Sequence, residues 1–203
     1  HDWLRWTTSQ FASSGIFFGH GTDNAWDEAV NLLLPALSLP IDAPKELMHA
    51  RLTSTEKNSL AGLIAERIND FTPVPYLTNI AWFANMPFYV DERVLIPRSP
   101  FAELINNRFP PWLEEPESVK RILDLCTGSG CIAIALAQAF ENAQVDAVDI
   151  SYEALEVADI NITDYQLSER VLPIQSDVFS GVPGQTYDLI IANPPYVDAE
   201  DMA

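Results

Sequence analysis

The stretch from Arg121 to Ile150 constrains the fold more than any other. Arg121 to Leu125 (R-I-L-D-L) is a short apolar run, and Cys126 to Gly130 is a loop with two glycines. Cys131 to Phe140 (C-I-A-I-A-L-A-Q-A-F) has the length and composition of a buried helix. Gln144 to Ile150 (Q-V-D-A-V-D-I) is a second apolar run, with an acid near its end. Strand, tight loop, helix and strand in that order form a βαβ unit, which requires a parallel sheet covered on both faces. The alternation continues with a helix over Tyr152 to Leu167, a strand over Val171 to Gln175 and a strand over Tyr187 to Ala192. The expected class is α/β, with a parallel sheet.

The residues before this region have a different texture. Asn24 can cap a helix carrying Val30, Leu32, Leu33, Leu34 and Leu37, and Thr53 with Glu56 has capping-box spacing ahead of Leu60, Leu63, Ile64 and Ile68. These stripes predict a small helical domain over 1–72. Pro73 and Pro75 break the pattern, and residues 76–96 are rich in aromatic and β-branched side chains, with turn material at Asn85 to Pro87. A β-hairpin linker over 73–117 and an α/β domain over 118–203 follow from the shift in composition.

Charge excludes several partners. The chain has 29 acids and 11 bases, a formal net charge of −18. Residues 1–121 hold 10 bases and 15 acids; the remainder holds 1 base and 14 acids. A nucleic-acid binder neutralises phosphates with Lys and Arg, and an acidic membrane surface repels such a chain. The expected partner is a basic protein, with no direct nucleic-acid or membrane binding. Cys126 and Cys131 are the only cysteines, so no disulfide framework and no metal spacing exists. Together with the lack of a leader or an 18-residue apolar run, this predicts a cytoplasmic protein without a metal site.

Gly128-Ser129-Gly130-Cys131-Ile132-Ala133 fits G-x-G-x-x-A, and Asp149 lies 19 residues past Gly130, at the tip of the next strand. Glycines let a backbone approach a ligand closely, and an acid there can accept hydrogen bonds from both hydroxyls of a ribose. The pattern alone leaves open a nicotinamide cofactor, S-adenosylmethionine or an ordinary turn. Asp124 just before the loop and Asp177 after the third strand favour a cation: Asp124 for an ammonium group, Asp177 for an adenine amino group.

The last motif is Asn193-Pro194-Pro195-Tyr196, at the carboxyl end of the fourth strand. The prolines remove two N–H donors and leave acceptors, the Asn193 side-chain oxygen and the Pro194 carbonyl. Two convergent acceptors suit a planar NH₂ group, on which Tyr196 can stack. The same acceptors would fit adenine, so an adenine-specific nucleic-acid methyltransferase is a rival reading, as is a non-catalytic binding module.

Asp124-Leu125-Cys126-Thr127-Gly128-Ser129-Gly130, Asp149 and Asn193-Pro194-Pro195-Tyr196 together resemble the class I S-adenosylmethionine-dependent methyltransferases that modify planar NH₂ groups. The whole chain resembles the bacterial methyltransferases that act on a protein glutamine. These have a helical N-terminal domain, a hairpin linker and a Rossmann-like catalytic domain. The linker words Tyr76-Leu77-Thr78-Asn79, Ala81-Trp82-Phe83 and Ile96-Pro97-Arg98-Ser99-Pro100 are more similar to the branch acting on large-subunit ribosomal protein three than to the release-factor branch, which is the alternative. The resemblance implies that Asp124, Cys126, Thr127, Gly128, Ser129, Gly130, Asp149, Asp177, Val178 and Asn193 line the cofactor. It implies that Asn193 to Tyr196 hold the glutamine amide. The family sheet has seven strands, so a chain ending at Ala203 is expected to be incomplete.

Overall fold

A computed structural model describes residues 2–19 and 21–195, apart from the side chains of Lys45 and Met48. The chain forms two compact units, residues 1–80 and 81–203.

The first unit holds α1 (Asp2–Ser13), α2 (Ala25–Ala36), a 3₁₀ turn (Lys45–His49), α3 (Ser54–Asn69) and α4 (Val74–Thr78). Local chemistry sets the helix starts. The Asn24 side chain accepts the Asp27 amide at 2.9 Å. Thr53 and Glu56 form the reciprocal capping box: Thr53 Oγ1 accepts the Glu56 amide, and Glu56 Oε2 accepts the Thr53 amide. Leu4, Phe11, Leu32, Leu33, Leu60 and Ile64 make one core. A buried ion pair adjoins it: Arg67 Nε donates to Glu28 Oε1 at 2.9 Å, with both side chains 3% exposed. Arg67 also donates to the carbonyls of Phe17 and Phe71, and the Thr22 hydroxyl donates to Glu28, so the buried charges are solvated by protein.

Residues 74–78, expected to open the hairpin, fold instead as α4, because a proline in the first turn of a helix loses no hydrogen bond. Asn79, at φ 55°, ends it. The hairpin is shorter: β1 (Ile80–Phe83) and β2 (Met86–Tyr89) pair across Ala84-Asn85, both at positive φ, as a type I′ turn requires. Pro100 caps a further helix, α5 (Phe101–Asn106).

The second unit is built on β3 (Arg121–Leu125), β4 (Gln144–Asp149), β5 (Val171–Gln175) and β6 (Leu189–Ala192), with α6 (Cys131–Ala139) after β3 and α7 (Tyr152–Asp164) after β4. All pairings are parallel, in the order β5-β4-β3-β6. Ile122, Leu123, Val145 and Ala147 are fully buried, as are Ala133, Ile134 and Leu136 of α6. This is the sandwiched environment that continuous apolar strands demand. The chain runs outward from β3 through β4 to β5, then returns to place β6 on the other side of β3. The order in which strands are added thus reverses between β3 and β6, while every strand stays parallel, and this is the place where open α/β sheets bind ligands. Within the described residues β6 is an edge, and Ile190 is 50% exposed. No described helix is long and apolar enough to cross a membrane.

Candidate functional site

The glycine loop leaves β3 at the switch point and is held by backbone bonds on both sides. The Thr127 amide donates to Val148 O of β4 at 2.9 Å, and the Gly130 amide returns to Thr127 O at 2.9 Å. The two glycines serve different needs. Gly130, at φ 78°, faces Ala158 of α7, and a Cβ there would stand 3.1 Å from the Ala158 Cβ. Gly128, at φ 54°, faces open space. One side of the loop therefore packs on a helix while the other is accessible to a ligand.

Asp149 ends β4 beside this loop. Its Oδ2 accepts the Gly128 amide at 2.9 Å, and its Oδ1 accepts the Ser151 amide at 3.0 Å. Each oxygen keeps a lone pair, and the residue is half-buried. Asp124, on β3, is wholly buried. Its Oδ2 accepts the Thr127 hydroxyl at 2.6 Å, and its Oδ1 makes no hydrogen bond of ordinary geometry. Burial pushes the Asp124 carboxyl up to about 7, and the Asp149 charge adds to that rise. The Thr127 hydroxyl and the Ala133 amide oppose it.

Ser129 is buried, and Cys126, at φ 60°, is exposed. Burial, then the charges of Asp149 and Asp124, raises the Cys126 thiol; Cys131, inside the core, is pushed up to about 12. Both shifts run away from the thiolate, the nucleophilic form of cysteine.

The Ser176 amide donates to Asp149 O at 2.9 Å, so the turn with Asp177 and Val178 starts beside Asp149. Both side chains are exposed. Ser176 Oγ accepts the Gly181 amide and donates to Val178 O, closing that turn. On the other flank the Asn193 amide donates to Leu125 O at 3.3 Å, which seats Asn193 next to the start of the glycine loop. Asn193 is half-buried, and Pro194 and Pro195 follow it exposed. Tyr196 lies outside the described residues. Among the described residues, no three His, Cys, Asp or Glu side chains gather as metal ligands.

Asn161 of α7 escaped the sequence reading. It is 1% exposed and bonds to both the glycine loop and the hairpin. Nothing local marks it, because its partners lie 32 and 72 residues away.

The chain is similar to known proteins. Residues 110–203 match the family model described as methyltransferase small domain. The chain is 52% identical over 201 residues to a ribosomal protein uL3 glutamine methyltransferase of Neisseria gonorrhoeae, covering 99% of this chain and 67% of that protein. It is 47% identical over 201 residues to the protein of the same name in Francisella tularensis, covering 99% and 64%. The chain thus spans about two thirds of the length of these relatives. Among solved structures, the delta-N METTL16 methyltransferase domain is similar at 19% identity and a TM-score of 0.45, covering 54% of this chain and 51% of that one.

Proposed function

Because the chain belongs to the family of the ribosomal protein uL3 glutamine methyltransferases, we propose that it transfers a methyl group from S-adenosylmethionine to the side-chain amide nitrogen of a glutamine in a ribosomal protein. The reading rests on one juxtaposition. The glycine loop and Asn193-Pro194-Pro195 leave the carboxyl ends of two adjacent parallel strands at the switch point, joined by the Asn193–Leu125 backbone bond.

The residues present fit an adenosine-bearing cation. The open face of Gly128 admits a close approach. The spare lone pairs of Asp149 accept from a ribose diol. Asp177 contributes negative potential near the loop, and a bound cation would draw Asp124, whose Oδ1 lacks an ordinary hydrogen bond, toward its ionised form. That potential favours a sulfonium over a pyrophosphate. When bound, the cofactor supplies an electrophilic methyl group on its sulfonium sulfur.

The chain's part is positioning. An amide nitrogen is a poor nucleophile because its lone pair is delocalised into the carbonyl. The Asn193 side-chain oxygen and the Pro194 carbonyl accept hydrogen bonds from its two hydrogens and return electron density to nitrogen. Holding that nitrogen in line with the methyl group provides the remaining acceleration. Asn193 and Pro194 would hold the amide nitrogen for transfer of the cofactor's methyl group, which would leave the sulfur a neutral thioether, and the amide proton would then pass to solvent. The rigid prolines keep the acceptors in place without competing donors. Calorimetry tests the cofactor assignment: S-adenosylmethionine should bind and NAD should not. Binding of NAD in preference would overturn it.

A further inference from the structure

Asn161 sits on α7 one turn beyond Ala158, so the two share a helix face. Ala158 is the surface against which Gly130 packs. From that same face the Asn161 amide reaches three segments at once. Its Nδ2 donates to Ser129 O in the glycine loop at 2.9 Å and to Tyr89 O at the end of β2 at 2.9 Å. It also lies 3.3 Å from Val157 O. Its Oδ1 accepts the Tyr89 amide at 2.7 Å. Toward Tyr89 the side chain thus offers one donor and one acceptor, as a neighbouring strand would.

The bonds to Ser129 O and Val157 O are buried and the two to Tyr89 part-buried, and a buried carbonyl without its donor is strongly disfavoured. Two other bonds between the hairpin region and α7 lie elsewhere on the helix or just past it. The Tyr165 hydroxyl donates to Pro87 O at 2.7 Å, and Arg93 pairs with Glu156 at 3.0 Å. Neither of these touches the glycine loop. Asn161 alone, among these contacts, ties the hairpin and the loop into one hydrogen-bonded unit.

We propose that Asn161 is a positioning residue that holds the Ser129 carbonyl, and through it the glycine loop, in the cofactor-binding conformation. Its bidentate grip on Tyr89 makes the hairpin a strut for that loop. The inference rests on the reading that the loop binds S-adenosylmethionine.

The test compares S-adenosylmethionine affinity, by calorimetry, with thermal stability in four proteins: wild type, Asn161→Asp, Asn161→Leu and Tyr165→Phe. Asn161→Asp keeps the shape and the acceptor for Tyr89 but turns a charged oxygen toward two carbonyls. Both Asn161 variants should bind at least tenfold more weakly, a difference of about 1.4 kcal/mol. Tyr165→Phe, which releases only the hairpin, should bind within about twofold of wild type whatever it does to stability. Wild-type affinity in Asn161→Asp, or an equal loss in Tyr165→Phe, overturns the positioning role. If Asn161→Leu does not fold, Asn161→Asp decides. Failure of wild type to bind at all would overturn the cofactor reading itself, and this inference with it.

Discussion

Asp149 Oδ2 and the Gly128 amide are 2.9 Å apart, across 21 residues of chain, so the acid at the tip of β4 holds the loop that leaves β3. A substitution at Asp149 therefore removes both a ligand for the cofactor ribose and a clamp on the loop. Asp149→Ala should weaken S-adenosylmethionine binding at least tenfold, about 1.4 kcal/mol. Asp149→Asn should lose less, because its amide oxygen can still accept the Gly128 amide. Calorimetry on both variants checks the order.

The two loop glycines should respond differently to alanine. At Gly128 only the left-handed backbone is strained, and stability should fall by about 1 kcal/mol. The new methyl group would occupy the open face, so cofactor affinity should fall further than stability does. At Gly130 the same strain adds to a collision with Ala158, and a loss of about 2–3 kcal/mol is expected. Urea unfolding beside cofactor titration separates the two effects.

Asp124 should make stability depend on pH in an unusual direction. Its carboxyl is raised from 3.8 to about 7 in the folded protein, so folding favours the protonated form. The stability it contributes is fully present below about pH 4 and is lost as pH rises to about 7, on the order of 4 kcal/mol at 1.36 kcal/mol per unit. Asp124→Asn should remove this slope in unfolding free energies measured from pH 4 to 8. A cation in the site favours the ionised carboxylate. Cofactor binding near pH 7 should therefore release protons, visible as a dependence of the binding heat on the buffer.

In the helical unit, Arg67→Ala strands the buried Glu28 carboxylate and should cost about 3–5 kcal/mol. Arg93 also pairs with two acids, and it holds Asp91 down to about 2. Its side chain is 34% exposed, however, and water competes for both partners. Arg93→Ala should change stability by less than about 1 kcal/mol. Denaturant midpoints of the two variants give the contrast directly.

What was legible in the sequence was local. The Asn24 cap, the Thr53–Glu56 box and the four strands depend on residues within a few positions of one another. The nearness of Asp149 to the glycine loop was legible because a βαβ unit brings the ends of its two strands together. The proline signals misled at Val74–Thr78, where Pro75 sits in the first turn of a helix rather than ending one. Asn161 and the Glu28–Arg67 pair were invisible for another reason. A polar residue on a helix reads as a solvated face unless its distant partner is known, and these partners lie 32 to 72 residues away.

The central claim is methyl transfer to a glutamine amide, and the most direct measurement follows the methyl group itself. The protein is incubated with methyl-labelled S-adenosylmethionine and ribosomal protein uL3, and fragment mass spectra locate the label. The account predicts one methyl group on the side-chain nitrogen of a glutamine, with most of that rate lost in Asn193→Ala despite an unchanged fold. Label on another residue type, no transfer at all, or an undiminished rate in Asn193→Ala would contradict it.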